Sequence, residues 1–345
     1  MRQYLGIMIF LCVLAGGVVA QQQTPQEMLK RLDQQIAKDP EDAKNYLMRG
    51  SLLFDMEQFR RAVADFTKAL RLDYQNMQEA YLLRSLSYYA LNEGESAMED
   101  ALSFRDARPN DPRAHGLLGT LLINQPQDAV DHFTRQIQLD EKNPQAYVNR
   151  AWAIQHLHGY EEQALVDYDL ALKLNRNYMP ALGSRAQLLM RLERPEEALE
   201  TMNRAVHIMP SEPMLYIKRA FAHLALKDYR RALADNLYVL ELAGPQDIAL
   251  VNISDLFLRQ QEWHLAADYA QQAIDLASGS LAYGHANRGE ALLEIGRIAL
   301  DDEQRMVLLQ QATDNVMLAR EHGFVNQAHL NYLMQQIQVL QKPRN

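Results

Sequence analysis

A small residue returns along this chain at a spacing that a single folded core does not impose. Ala62, Ala97, Ala129, Ala164, Ala198, Ala232 and Ala266 recur with a mean period of 34 residues. Longer strings return in the same frame. Tyr46-Leu-Met-Arg49-Gly50 is followed by Tyr81-Leu-Leu-Arg84-Ser85 and by Tyr147-Val-Asn-Arg150-Ala151, and Ala62-Val-Ala-Asp65-Phe66 by Ala164-Leu-Val-Asp167-Tyr168. A fixed period of this size means that one supersecondary unit is stacked on copies of itself. The 345 residues, which a length prior divides into two domains, therefore measure a number of units.

The frame predicts paired helices. With position 1 at Ala43, Gln78, Pro112, Pro144, Met179, Pro213 and Asp247, position 8 is always small: Gly50, Ser85, Gly119, Ala151, Ala186, Ala220 or Ser254. Position 20 holds the seven alanines, and small side chains at both places let two helices approach. Ala62, Phe66 and Ala69 follow one helix face at i, i+4 and i+7. Proline tests this independently, because inside a helix it costs about 3 kcal/mol. Pro40, Pro109, Pro112, Pro144, Pro180, Pro210, Pro213 and Pro245 fall at joints between repeats, Pro126 and Pro195 between the paired helices, and Pro25 and Pro343 near the ends. Repeat 3 lacks two residues in its turn and repeat 4 carries one extra near His158-Gly159, where a loop absorbs them.

These residues resemble the tetratricopeptide repeat family over about residues 43–280, as seven repeats. The resemblance implies an all-α solenoid of antiparallel helix pairs in a right-handed superhelix, with terminal capping helices. Residues 21–42 are expected to cap the first repeat, through Met28, Leu32 and Ile36. Residues 281–322 read as an elongated, degenerate eighth hairpin, because Ala312 arrives 11 residues late, about three helical turns. Residues 323–345 supply a final amphipathic helix. No linker-like stretch interrupts the array, so the spacing predicts one continuous stack.

Position 7 is arginine at Arg49, Arg84, Arg150, Arg185 and Arg219, and position 23 is aspartate at Asp65, Asp100, Asp167 and Asp235. The two coincide in repeats 1, 2, 4 and 6. Where position 7 is apolar, at Leu118 and Ile253, position 23 is His132 or Tyr269; Arg185 faces Thr201. Residues that come and go together predict a half-buried ion pair between the helices of one repeat, rather than a row of ligand-binding arginines.

Residues 1–20 have the form of a secretory signal peptide: Arg2, an apolar run to Ala15, and small residues at Val18 and Ala20. The run is shorter than the roughly 20 residues a spanning helix needs, so cleavage and export, to a Gram-negative periplasm, are expected ahead of the alternative of an uncleaved membrane anchor. The sole cysteine, Cys12, lies inside this segment, which leaves neither a disulfide framework nor a cysteine-based zinc site. A net charge of −9 argues against nucleic acid, and a mean hydropathy of −0.33 against a polytopic membrane protein.

No phosphate loop, nucleophile elbow or His-Glu-x-x-His string occurs, so no enzyme, cofactor or metal is expected. His156 and His158 stand two apart and diverge on a helix, and Glu161-Glu162, Glu196-Glu197 and Asp301-Asp302 suit helix starts. The resemblance implies a concave face lined by positions 2, 5, 9, 12 and 13 of each first helix. Here it offers Leu47, Phe54, Leu82, Tyr89, Trp152, Gln155, Gln187 and Phe221, a row more apolar and aromatic than solvent favours. Position 5 is never lysine and position 9 never asparagine, so the family's clamp for a C-terminal carboxylate is not expected. The expected role is a non-enzymatic scaffold of the cell envelope that holds a protein or peptide segment, with a glycan or peptidoglycan adaptor as the alternative.

Overall fold

The computed structural model describes residues 24–342 apart from Tyr74, Asn76, His158, Ala277 and Ser278; the expected signal segment at 1–20 lies outside them, as does His158. The described residues form eighteen helices and no strand. After α1 (Pro25–Lys38), helices pair in order: α2 (Ala43–Asp55) with α3 (Phe59–Leu72), α4 (Gln78–Ala90) with α5 (Gly94–Ala107), α6 (Pro112–Leu121) with α7 (Pro126–Leu139). Then come α8 (Pro144–Ile154) with α9 (Glu161–Leu174), α10 (Met179–Arg191) with α11 (Pro195–Ile208), α12 (Pro213–Ala225) with α13 (Tyr229–Ala243), and α14 (Asp247–Arg259) with α15 (Trp263–Asp275). A longer pair, α16 (Leu281–Ile298) and α17 (Asp302–Glu321), precedes α18 (Gln327–Leu340). Every first helix of the seven repeats begins at position 1 of the sequence frame.

The chain divides into two compact units that meet in sequence at Leu139 and Asp140. The joint at the division, Asp140 to Asn143 before Pro144, has the same polar composition ending in proline as the Arg108-to-Asp111 joint before Pro112. The period therefore carries no mark of it.

In repeats 1 and 3, position 8 packs directly on position 24. Gly50 faces Phe66 and Gly119 faces Phe133; a Cβ on either glycine would stand 2.7 or 2.6 Å from the ring. Where position 8 is serine, position 24 shrinks to Ala101 or Ala270. The serine hydroxyl then donates across the gap to the position-20 carbonyl: Ser85 to Ala97 at 2.6 Å and Ser254 to Ala266 at 2.8 Å. Phe66, Phe133 and Tyr168 are fully buried, and close packing of this kind makes each pair sensitive to a single methyl group.

The turns are as regular as the cores. Glu57, Asn92, Glu193, Lys227 and Gln261, all at position 15, have φ between 56° and 62°. Each follows its helix in a six-to-one closure: Gln58 N–H donates to Leu53, Glu93 to Tyr88, Arg194 to Leu189, Asp228 to His223 and Glu262 to Phe257. This is the Schellman arrangement, usually completed by glycine because a Cβ is strained there. Repeat 3, whose turn is two residues shorter, lacks it among the described residues. At the joints, Asp42, Asp111 and Asn143 accept from the second backbone N–H of the helix that follows.

In the second unit, α16 and α17 run 18 and 20 residues against the 13 and 14 of α2 and α3 in the first. Leu293, Leu309, Val316, Leu330, Leu333 and Ile337 bury the contact among α16, α17 and α18. His285 bonds Asn315 at 2.9 Å and stacks on His322, and His329 Nε2 meets Glu290 at 2.9 Å. The Glu290 hydrogen bond outweighs burial and holds the His329 imidazolium above its usual range. A raised histidine pKa contributes stability that is complete below about pH 6.5 and is lost as pH rises through the folded value. Proteolysis at the α17–α18 turn, normalised to an unstructured substrate, should therefore be slower near pH 6 than near pH 8. Glu290→Gln should abolish the difference; an unaltered pH dependence in that variant would rule the clasp out.

Candidate functional site

Four arginines are fixed before any partner arrives. Arg49 grips Asp65 through Nε and Nη2, both at 2.7 Å; Arg84 grips Asp100 identically, and Arg150 and Arg219 grip Asp167 and Asp235 at 2.6–2.9 Å. The carboxylates are buried and the arginine side chains about four-fifths so. The free Nη1 of Arg49, Arg84 and Arg219 reaches back one helix, to Asp33, Thr67 and Asn203. Arg185 has no aspartate at position 23 and takes Asp169 and Thr201. Arg49, Arg84, Arg185 and Arg219 thus tie their own hairpins to the preceding helix, in the last three at the residue two beyond position 23, a partner that the arginine–aspartate correlation did not reveal. The guanidinium also lies over a tyrosine three residues before it: Tyr46, Tyr81, Tyr147 and Tyr216. Those tyrosines occur in the four repeats with the ion pair, so this signal stands in the sequence.

The row expected to face a partner separates into core and surface. Phe54 is buried, edge-on to Phe59 at 5.4 Å, and Leu82 is buried with Phe104, Leu117 and Leu118. Both are corrected from partner-binding to core. Their positions abut the next helix, and an apolar side chain there closes the gap instead of facing water. Leu47 and Tyr89 remain half-buried in the first unit.

In the second unit four consecutive first helices, α8, α10, α12 and α14, present an accessible mixed face. Phe221 is 43% exposed, Gln187 is exposed, and Trp152 and Gln155 are half-buried. Trp152 packs on His156 with ring centroids 4.4 Å apart. Arg191 donates to Gln155 at 2.9 Å, and burial together with Arg191 pushes the His156 imidazole below its usual range. His156 is therefore neutral at neutral pH and adds an aromatic edge rather than a charge. Beside Phe221, Leu224, Asn252 and Asp255 line a small depression, with Asn252 bonded to Asn236 at 3.1 Å and Asp255 paired with Arg259 at 2.8 Å. His156, Arg191 and Arg259 occupy position 13, which the resemblance places on the same face. This surface offers aromatic area, amide hydrogen bonds and one acidic group, the chemistry of a peptide-holding face.

Among the described residues no three His, Cys, Asp or Glu side chains stand together as a metal cage, and no helix is long and apolar enough to cross a membrane.

A family model described as tetratricopeptide repeat matches residues 47–112. A DnaJ homolog subfamily C member 7 homolog of Dictyostelium discoideum is 26% identical over 232 residues, 61% of this chain and 43% of its own length. The chain thus spans less than half of that curated relative. A tetratricopeptide repeat protein from Parabacteroides merdae shares the fold with a TM-score of 0.54 at 20% identity, over 76% of this chain and 98% of its own. PilW, a type IV pilus biogenesis factor, does so with a TM-score of 0.55 at 16% identity, over 60% and 96%.

Proposed function

Because the chain is a tetratricopeptide-repeat protein, we propose that it is a non-enzymatic scaffold whose second unit holds an extended protein segment on the face of α8, α10, α12 and α14. The observation that carries this reading is the accessibility of Phe221 beside the Trp152, Gln155 and Gln187 row. Large aromatics left in reach of water on successive helices are binding anchors, and the four arginines that could have bound anions are already neutralised by aspartates. The signal-like residues 1–20 support an envelope location, with the partner an exported protein.

Trp152→Ala tests the reading. Pulled from envelope extract, the wild type should retain a protein that the variant releases, while far-ultraviolet circular dichroism shows equal helicity. Loss of a hot-spot aromatic costs about 2 kcal/mol or more, roughly 30-fold in affinity. Equal retention by both proteins removes this face from the proposal. Retention of polysaccharide instead of protein turns the scaffold into a glycan adaptor, whose stacking aromatics would be these same residues.

A further inference from the structure

Repeat 3 is built around histidines where repeats 1, 2, 4 and 6 hold tyrosine and aspartate. His115 occupies position 4 and His132 position 23, with Leu118 in place of the arginine. The two rings approach Nδ1 to Nδ1 at 3.2 Å across α6 and α7. Two nitrogens bound to one tetrahedral zinc, at about 2.0–2.1 Å each, lie about 3.3 Å apart. We propose that His115 and His132 bind a divalent transition-metal ion of the zinc, copper and nickel class, each through Nδ1, with water in the remaining positions.

Three features of the surroundings support the assignment. First, His115 stands at position 4, where Tyr46 and Tyr216 turn their hydroxyls back to the carbonyls of Pro40 and Pro210, while its own Nδ1 is turned to His132. Second, both rings are half-buried, so a bound ion would lie at the contact of the two helices and not in open solvent. Third, Gln136, one turn beyond His132 and packed over Gly116, is 5% exposed and its Oε1 has no partner, which leaves an acceptor on the same helix–helix contact.

The charges around the pair are mixed: Arg105, paired with Asp106 at 2.7 Å, and Arg135 set positive charge against an ion, while Asp128 and Asp131 add negative charge on the helix of His132. Imidazole pairs favour zinc, copper and nickel over calcium or magnesium. A bound ion would cross-link α6 to α7 where this repeat lacks the arginine–aspartate bridge.

The test uses the full chain without an affinity tag, with Zn²⁺ as probe. His115→Tyr restores the residue that position 4 holds in four other repeats, so it keeps the fold and removes one ligand. Wild type should bind one equivalent more than H115Y in equilibrium dialysis near neutral pH, and losing a ligand should weaken that equivalent at least about tenfold. Zn²⁺ should raise the Tm of the wild type and not that of H115Y, with equal metal-free values for both. If H115Y unfolds, His132→Gln replaces it in the same comparison. No zinc bound by the wild type, or equal binding by wild type and variant, overturns the site and leaves the rings as a proton-sharing pair.

Discussion

Asp100→Ala should be the most destabilising exchange of an acidic residue in the first unit. Asp100 is 3% exposed and is the one carboxylate on Arg84, whose remaining bond goes to neutral Thr67. Removing it strands a guanidinium that is mostly out of water, at a cost of about 3 kcal/mol, the lower end for a buried pair because Arg84 keeps some access to solvent. Asp65→Ala should cost less, since Arg49 retains Asp33. Burial pushes the Asp100 carboxyl upward against the pull of Arg84, so desolvation outweighs attraction. The pair therefore gains little over two apolar residues, although one orphan is costly. Replacing both, as Arg84→Leu with Asp100→Leu, should recover most of the loss. Urea midpoints followed by circular dichroism decide the matter; a midpoint unchanged in Asp100→Ala defeats it.

Phe66 is the second place where one side chain carries a hairpin. It is fully buried and lies against the Cα of Gly50. Phe66→Ala should cost about 3–5 kcal/mol through lost burial and the cavity left behind. Gly50→Ala alone should cost about 1–3 kcal/mol, because the new methyl would stand 2.7 Å from the ring. In a Phe66→Leu background the same methyl has room, and the better helix propensity of alanine should turn the effect into a gain of up to about 1 kcal/mol. The sign reversal is the discriminating result in a double-mutant cycle; additive effects would mean that the two positions do not share a volume.

The helix pairs were legible because one pattern is written seven times, so a weak local signal accumulates. The pairing of Arg49 with Asp65, and of its three counterparts, was legible for a different reason: both residues vanish together where Leu118 or Ile253 appears. The surface row was only half legible. Phe54 and Trp152 look alike in sequence, and what separates them is whether a neighbour such as Phe59 closes over the ring. The histidine pair was hidden because His115 and His132 stand 17 residues apart and neither belongs to a ligand string. The division after Leu139 is invisible in the sequence, because the joint there has the composition of the other joints.

The position-15 turns carry a consequence for how this chain tolerates change. Glu57, Glu193, Lys227 and Gln261 each hold a left-handed backbone that glycine would take without strain, and asparagine, as at Asn92, takes more readily than they do. A strain of about 1 kcal/mol at each is retained in four hairpins, far enough apart to act independently. Any one exchange to glycine is a single step that touches no core residue and no surface anchor. The array thus keeps a mutational reserve in its turns, able to offset drift in residues that bind a partner without altering how they are displayed.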